Sequence, residues 1–261
     1  MNETYKEKYE KAKIEYLKGD RSIVSICKEF KMDRGTFSKN LKKDGIEVIN
    51  KQNICTFNEN FFETIDTEEK AYWLGFFYAD GYVAKDSNRV ELSLKSNDIE
   101  HLKKLINSLN FTKEKHLVQD DVRCRFLINN KKFKENLVKQ GCIPQKSLIL
   151  TFPLESQVPK YLIKHFVRGY IDGDGSVMIG LNHKKERTKP RLSILGTKDF
   201  LISLANAMDW KINKISPAGN VYSIEWGGQY VFNYIESLYK DANIYLDRKF
   251  EKYLILKDCR L

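Results

Sequence analysis

Two aspartates, Asp80 and Asp174, stand 94 residues apart near the ends of two look-alike stretches, YWLGFFYADGYV (residues 72–83) and FVRGYIDGDGSV (residues 166–177). Each stretch is an apolar run with two small residues four apart, Gly75 and Ala79 in the first, Gly169 and Gly173 in the second. Positions i and i+4 share a helix face, so each small pair forms a flat stripe that another backbone can approach closely. An interior glycine costs a helix about 1 kcal/mol relative to alanine, and its matched use in both stretches says the approach is needed. Gly81 and Gly175 follow the acids and read as left-handed caps that end the two helices. The acids then lie in last turns, the unfavourable end of the helix dipole for an anion. Packing the helices along their stripes sets one carboxylate beside the other, and a divalent cation with hard oxygen ligands offsets that repulsion.

Taken alone, either Asp-Gly is an ordinary turn. DGDGS could also open a calcium loop, but Val177 would then stand where the loop needs glycine and His183 where it needs glutamate, so that reading fails. The repetition, inside segments that match beyond the motif, favours a paired site.

Positioning such a pair takes a duplicated scaffold, and the chain provides one. A helix capped by Asp66 and Glu69 carries the first motif. RVELSLK (89–95) alternates as a strand, a helix capped at Ser96 or Asn97 runs through Leu109, strands follow at 115–119 and 122–128, and a helix covers 131–140. The second half repeats this order. A motif helix covers 160–174 and a strand 177–181, followed by a basic loop with His183, Lys184, Lys185, Arg187 and Lys189 and a strand from Arg191. A helix capped at Thr197, strands near Lys214 and from Val221, and a helix through Tyr239 complete it. The expected fold is α+β, two pseudo-symmetric αββαββα halves around a central helix pair, their sheets forming a saddle for a duplex. Residues 67–152 and 153–261 are the halves and 49–66 a linker. Outward positions, Arg89, Glu91, Ser93, Arg123, Arg125 and Arg191, together with loop residues Lys184, Lys185 and Arg187, are candidates for phosphate and base contacts or else a solvated sheet face.

Residues 1–48 read as three short helices with a tight second turn, the third opening at Asp33 and carrying Arg34, Thr36, Ser38 and Lys39 on its polar side. The pattern resembles a helix-turn-helix unit that places its last helix in the major groove, with those four residues as its contacts. A protein-interaction module is the other reading of the same segment.

Composition agrees with a polyanionic partner: 45 Lys and Arg against 35 Asp and Glu give a net charge of +10. Five scattered cysteines without a C-x-x-C pair argue for a reducing compartment and against structural zinc. No signal-peptide pattern opens the sequence and no apolar run reaches membrane-spanning length, so an intracellular, cytoplasmic protein without a membrane partner is expected.

WLGFFYADG and VRGYIDGDG resemble the two dodecapeptide motifs of the LAGLIDADG homing endonucleases in their single-chain form, and the similarity runs from residue 67 to about 250. The resemblance implies a monomer with internal pseudo-two-fold symmetry. It also implies that Asp80 and Asp174 bind Mg2+ or another divalent cation such as Mn2+, and that both strands of double-stranded DNA are cut to leave short 3′ overhangs. Tyr78 stands where many members carry a second acid, which Asp172 retains; packing or capping is expected there. The family often places a basic residue near a strand end in each half: Lys95 fits, while the second half offers Thr197, with Lys198 one step along. A non-cleaving DNA-binding regulator and an RNA splicing maturase are the alternatives on the same scaffold. An intein is not expected, because the sequence neither starts at Cys or Ser nor ends in a His-Asn junction.

Overall fold

In the computed structural model of the protein, the described residues are 4–18, 21, 23–48, 57–112, 116–179 and 189–258. Two compact units divide the chain, Met1–Thr56 and Phe57–Leu261.

Among its described residues the first unit holds α1 (Tyr5–Leu17), α2 (Ile23–Glu29) and α3 (Arg34–Lys43). Thr4 and Glu7 form a reciprocal capping box at the start of α1. Lys31, in the left-handed region at φ 49°, turns the chain from α2 towards α3, whose first turn is capped by the Asp33 side chain. Tyr9, Ala12, Tyr16, Ile23, Ile26, Phe37 and Leu41 meet in a core of their own, the residues that helical spacing places inward.

The second unit begins with Phe57 and repeats one plan twice. Its first half runs α4 (Glu68–Asp80), β1 (Gly81–Val83), β2 (Arg89–Lys95), α5 (Ile99–Ser108), β3 (Leu117–Gln119), β4 (Arg123–Asn129) and α6 (Lys131–Lys139). The second runs α7 (Ile163–Asp174), β5 (Gly175–Met178), β6 (Arg191–Gly196), α8 (Lys198–Ala207), β7 (Ile215–Ala218), β8 (Val221–Gly227), α9 (Gln229–Tyr239) and α10 (Asp247–Asp258). Two antiparallel four-stranded sheets result, with matching orders β1-β2-β4-β3 and β5-β6-β8-β7. Strict alternation buries Val90, Leu92, Leu94, Cys124, Phe126 and Ile128 on one face of the first sheet and leaves Arg89, Lys95 and Arg123 exposed on the other. Helix α5 packs on β4, and α8 on β6 and β8.

Several expectations need correction. Thr67, with extended backbone, caps α4 by accepting from the Lys70 amide at 3.3 Å; Asp66 instead takes the Lys70 ammonium at 2.8 Å, and Glu69 accepts from the Ser108 hydroxyl at 2.5 Å. The stretch assigned to a linker ends inside the core, because Phe61, Phe62 and Ile65 are buried there, Phe62 against Phe61, Phe77 and Phe133. Helix α10 was not foreseen, its inward Lys249 interrupting the apolar pattern of Tyr253 and Leu256. Cys27, Cys124 and Cys142 are free and buried; Cys55 and Cys259 lie outside the described residues. Among the described residues no helix is long and apolar enough to cross a membrane.

Candidate active site

Helices α4 and α7 touch backbone to backbone. A Cβ added at Gly75 would lie 1.9 Å from the Phe166 carbonyl oxygen, and one at Gly169 would lie 1.9 Å from that of Tyr72. One turn further on, a Cβ at Gly173 would meet the Ala79 Cβ at 2.5 Å and Asp80 Oδ2 at 3.1 Å. The two small-residue stripes therefore face each other and deliver Asp80 and Asp174 to the same end of the helix pair. Gly81 and Gly175 act differently from the sequence expectation, since both are extended, at φ −72° and −78°. They are small because the chain turns at once from helix into strand, where a Cβ would strike the Phe77 or Ile171 carbonyl oxygen at 2.4 or 2.6 Å.

Both acids are half-buried. Burial first and the Asp174 charge second push the Asp80 carboxyl up to about 6, against the pull of Lys146, Arg248 and Lys249. Burial raises Asp174 as well, opposed by Lys146 and Lys249. Lys146, Lys249 and Arg248 are the residues beside the acids that sequence reasoning missed. Lys146, buried in a one-turn 3-10 helix after α6, donates to the Gly81 carbonyl; Lys249 on α10 donates to the Ile171 carbonyl at 3.2 Å and to that of Gly175. Carbonyls at a helix end lack intrahelical donors, so each motif helix has a cation on its negative pole, in the same place in both halves. Burial lowers the Lys249 ammonium to about 8, opposed by the negative charge of Asp172.

Tyr78 and Asp172, at matching motif positions, are anchors, as expected from their placement. Tyr78 donates to the Gln140 carbonyl at 2.6 Å. Asp172 is fully buried and accepts from the Tyr72 hydroxyl at 2.7 Å, the Leu246 amide at 2.7 Å and the Tyr239 hydroxyl, tying α7 to α4, α9 and the turn before α10. The buried Arg168 extends this seam, reaching Glu68 at 2.7 Å and the carbonyls of Ile244 and Leu238 at 2.9 Å.

Two clefts open beside the acids. The larger, about 520 Å³, is lined by Asp80, Ser93, Lys95, Asp98, Arg123 and Arg248, with Arg248 Nε 3.1 Å from Asp98. The smaller, about 200 Å³, is lined by Tyr78, Lys146, Tyr170, Asp174, Leu195 and Val221. Lys95 thus reaches the Asp80 cleft. Lys198 does not reach the other: it is exposed in the first turn of α8 and absent from the lining, because Thr197 ends the strand by capping that helix. Arg89, Glu91, Ser93, Arg123, Arg125 and Arg191 all occupy the unburied sheet faces, Arg89 paired with Glu91, and Arg191 3.8 Å from Glu225. His183, Lys184, Lys185 and Arg187 lie outside the described residues. In the first unit Arg34 and Lys39 are exposed on α3, Ser38 is half-buried, and the exposed Thr36 spends its hydroxyl on Asp33 at 2.8 Å.

The donor set fits a hard divalent cation. Two carboxylates are held together against their own repulsion, while lysines occupy the nearest glycine carbonyls. Among the described residues no group of three or more His, Cys, Asp or Glu gathers as a metal site, so the protein carboxylates at this position are the two motif acids.

In sequence, residues 67–137 match the LAGLIDADG-like domain. No curated protein matches the chain. Among solved structures, the chain is similar to the I-LtrWI LAGLIDADG homing endonuclease bound to target DNA (13% identity over 78% of this chain and 92% of that one, TM-score 0.49). It is also similar to the LAGLIDADG meganuclease I-CpaMI bound to uncleaved DNA, at 14% identity over 72% of this chain and 92% of that one, with a TM-score of 0.45.

Proposed function

Since residues 67–137 match a LAGLIDADG-like domain and the second half repeats their fold, we propose that the chain is a site-specific double-strand DNA endonuclease. The observation that carries this reading is the delivery of Asp80 and Asp174 to one end of a glycine-packed helix pair, between two clefts that run onto open sheet faces.

Asp80 and Asp174 would hold Mg2+ or Mn2+, which when bound lowers the pKa of an attacking water and neutralises charge on the phosphate. The chain's own residues do the rest. The glycine contacts fix the carboxylates on rigid helices, and Lys146 and Lys249 hold the helix ends. Lys95, Arg123 and Arg248 direct positive charge into the Asp80 cleft, where a backbone phosphate gathers charge as water attacks. Arg89 and Arg125, on the same open face as the half-buried Glu91 and Ser93, meet phosphates and base edges along a groove, and Arg191 does so on the second sheet. In the first unit, Arg34 and Lys39 on α3 would contact the duplex, and linkage of two binding units lengthens the footprint and raises affinity. A non-cleaving regulator or an RNA maturase would leave the mutually destabilised acids without a task.

Selecting cleaved sequences from a random duplex library in Mg2+ tests the reading. Wild type is expected to yield one long asymmetric site, with cutting abolished by Asp80→Asn, by Asp174→Asn or by a chelator, while binding persists. Undiminished cutting by either variant would refute it.

A further inference from the structure

The two clefts differ in the positions that face a phosphate. Strand register fixes the correspondence: Gly81 pairs with Leu92 and Gly175 with Ile194, so Lys95, three residues past Leu92, corresponds to Thr197. Leu92 pairs with Phe126 and Ile194 with Ile224, so Arg123 corresponds to Val221. In the first half Lys95 and Arg123 are direct cross-strand partners, two exposed cations side by side at the rim of the Asp80 cleft. In the second half the same pair is a hydroxyl and an aliphatic side chain. That hydroxyl is already used, donating to the Leu150 carbonyl at 2.6 Å and accepting from the Phe200 amide at 3.2 Å. Lys146 and Lys249 each sit on the carbonyl of the glycine that follows a motif acid; Lys146 also lines the Asp174 cleft, but its ammonium is held on the Gly81 carbonyl. The residues before them differ: Arg248, before Lys249, lines the Asp80 cleft, whereas Gln145 precedes Lys146.

Resting on the nuclease reading, we propose that the two strands are cut at unequal rates, the phosphate over the Asp80 cleft being hydrolysed first because Lys95 and Arg123 contact it, with Thr197 and Val221 unable to do so over Asp174. The reaction is the same on both strands. Water oxygen bonds to phosphorus, one bridging P–O bond breaks, the leaving oxygen takes up a proton, and no electrons are exchanged. What differs is the positive charge available as the phosphate becomes more negative in the transition state, where fixed cations act most strongly. A duplex nicked in one strand therefore accumulates before the double-strand break.

The test follows both strands of the library-selected duplex, each carrying a different end label, under single-turnover conditions with Mg2+. Wild type is expected to cut one strand at least tenfold faster than the other. Lys95→Ala combined with Arg123→Ala is expected to slow the faster strand at least tenfold, bringing the rates together, and Val221→Arg to speed the slower one. A second readout needs no metal: in chelator, a neutral methylphosphonate at the first-cut phosphate is expected to weaken binding severalfold more than one at the second, a difference that Lys95→Ala/Arg123→Ala erases. Equal rates in wild type, or a double variant that slows both strands alike, overturn the proposal and leave the nuclease reading standing. Absence of cleavage of any duplex overturns both.

Discussion

The two halves of the second unit agree in how the motif helices pack and end and differ in what faces outward around them. Both have a glycine-packed motif helix, a strand that begins at the next glycine, and a buried lysine on that glycine's carbonyl. On β2 and β4 the outward positions carry Arg89, Lys95, Arg123 and Arg125 against Glu91; at the same places β6 and β8 carry Arg191, Thr197, Val221 and Ser223. The framework constrains both halves alike because backbone contacts and helix-end carbonyls leave no alternative side chain. The outward faces are free of that constraint, and under the proposed function an asymmetric partner needs no symmetry from them.

The first way to break the comparison is at the helix seam. Gly75→Val and Gly169→Val are each expected to destabilise the unit by at least about 4 kcal/mol, since their first side-chain carbon already collides with a carbonyl, and equal losses in denaturant unfolding would show that the halves share the seam equally. Gly196→Ala, whose neighbours are side-chain atoms at 3.2 Å, is the mild control at about 1 kcal/mol. Next comes the anchor position. Asp172→Ala strands the Tyr239 hydroxyl and the Leu246 amide, leaves the Tyr72 hydroxyl with His101 alone and is expected to cost about 4 kcal/mol, whereas Tyr78→Phe loses one hydrogen bond and costs about 1 kcal/mol. The smallest effect is on the outward faces, where Arg125→Ala is expected to weaken duplex binding by about 1 kcal/mol and reduce its salt dependence, and Ser223→Ala to leave both unchanged in a fluorescence titration.

How far these features were legible in the sequence follows the range of the contacts involved. The glycine stripes, the alternating strands and the polar cap at Thr197 are local patterns of period 3.6 or 2 and were readable. Lys146 and Lys249 were not, because each reaches a backbone carbonyl 65 or 74 residues away, and a carbonyl has no sequence signature. Arg168 escaped for the same reason, its partners lying 70 to 100 residues away along the chain. Lys198 was misplaced by a single residue of register, which on a strand changes the face and at a helix start changes the element. Gly81 and Gly175 showed that a glycine was required but not why, because crowding against the preceding turn and a left-handed backbone leave the same mark in a sequence.

The central claim is that the fold destabilises the ionised form of Asp80, and unfolding of wild type and Asp80→Asn in chelator, at pH 8 and again at pH 4, tests it most directly. With its carboxyl raised from 3.8 to about 6, the folded protein binds a proton at Asp80 more tightly than the unfolded chain does. Asp80 therefore favours folding below about pH 4, and that contribution is lost as pH rises through 6, leaving a penalty of about 3 kcal/mol at pH 8 that the neutral amide escapes. The account predicts that Asp80→Asn is more stable than wild type by about that amount at pH 8, with the gap closing at pH 4. An Asp80→Asn protein no more stable than wild type at pH 8, or an advantage that persists undiminished at pH 4, would contradict it.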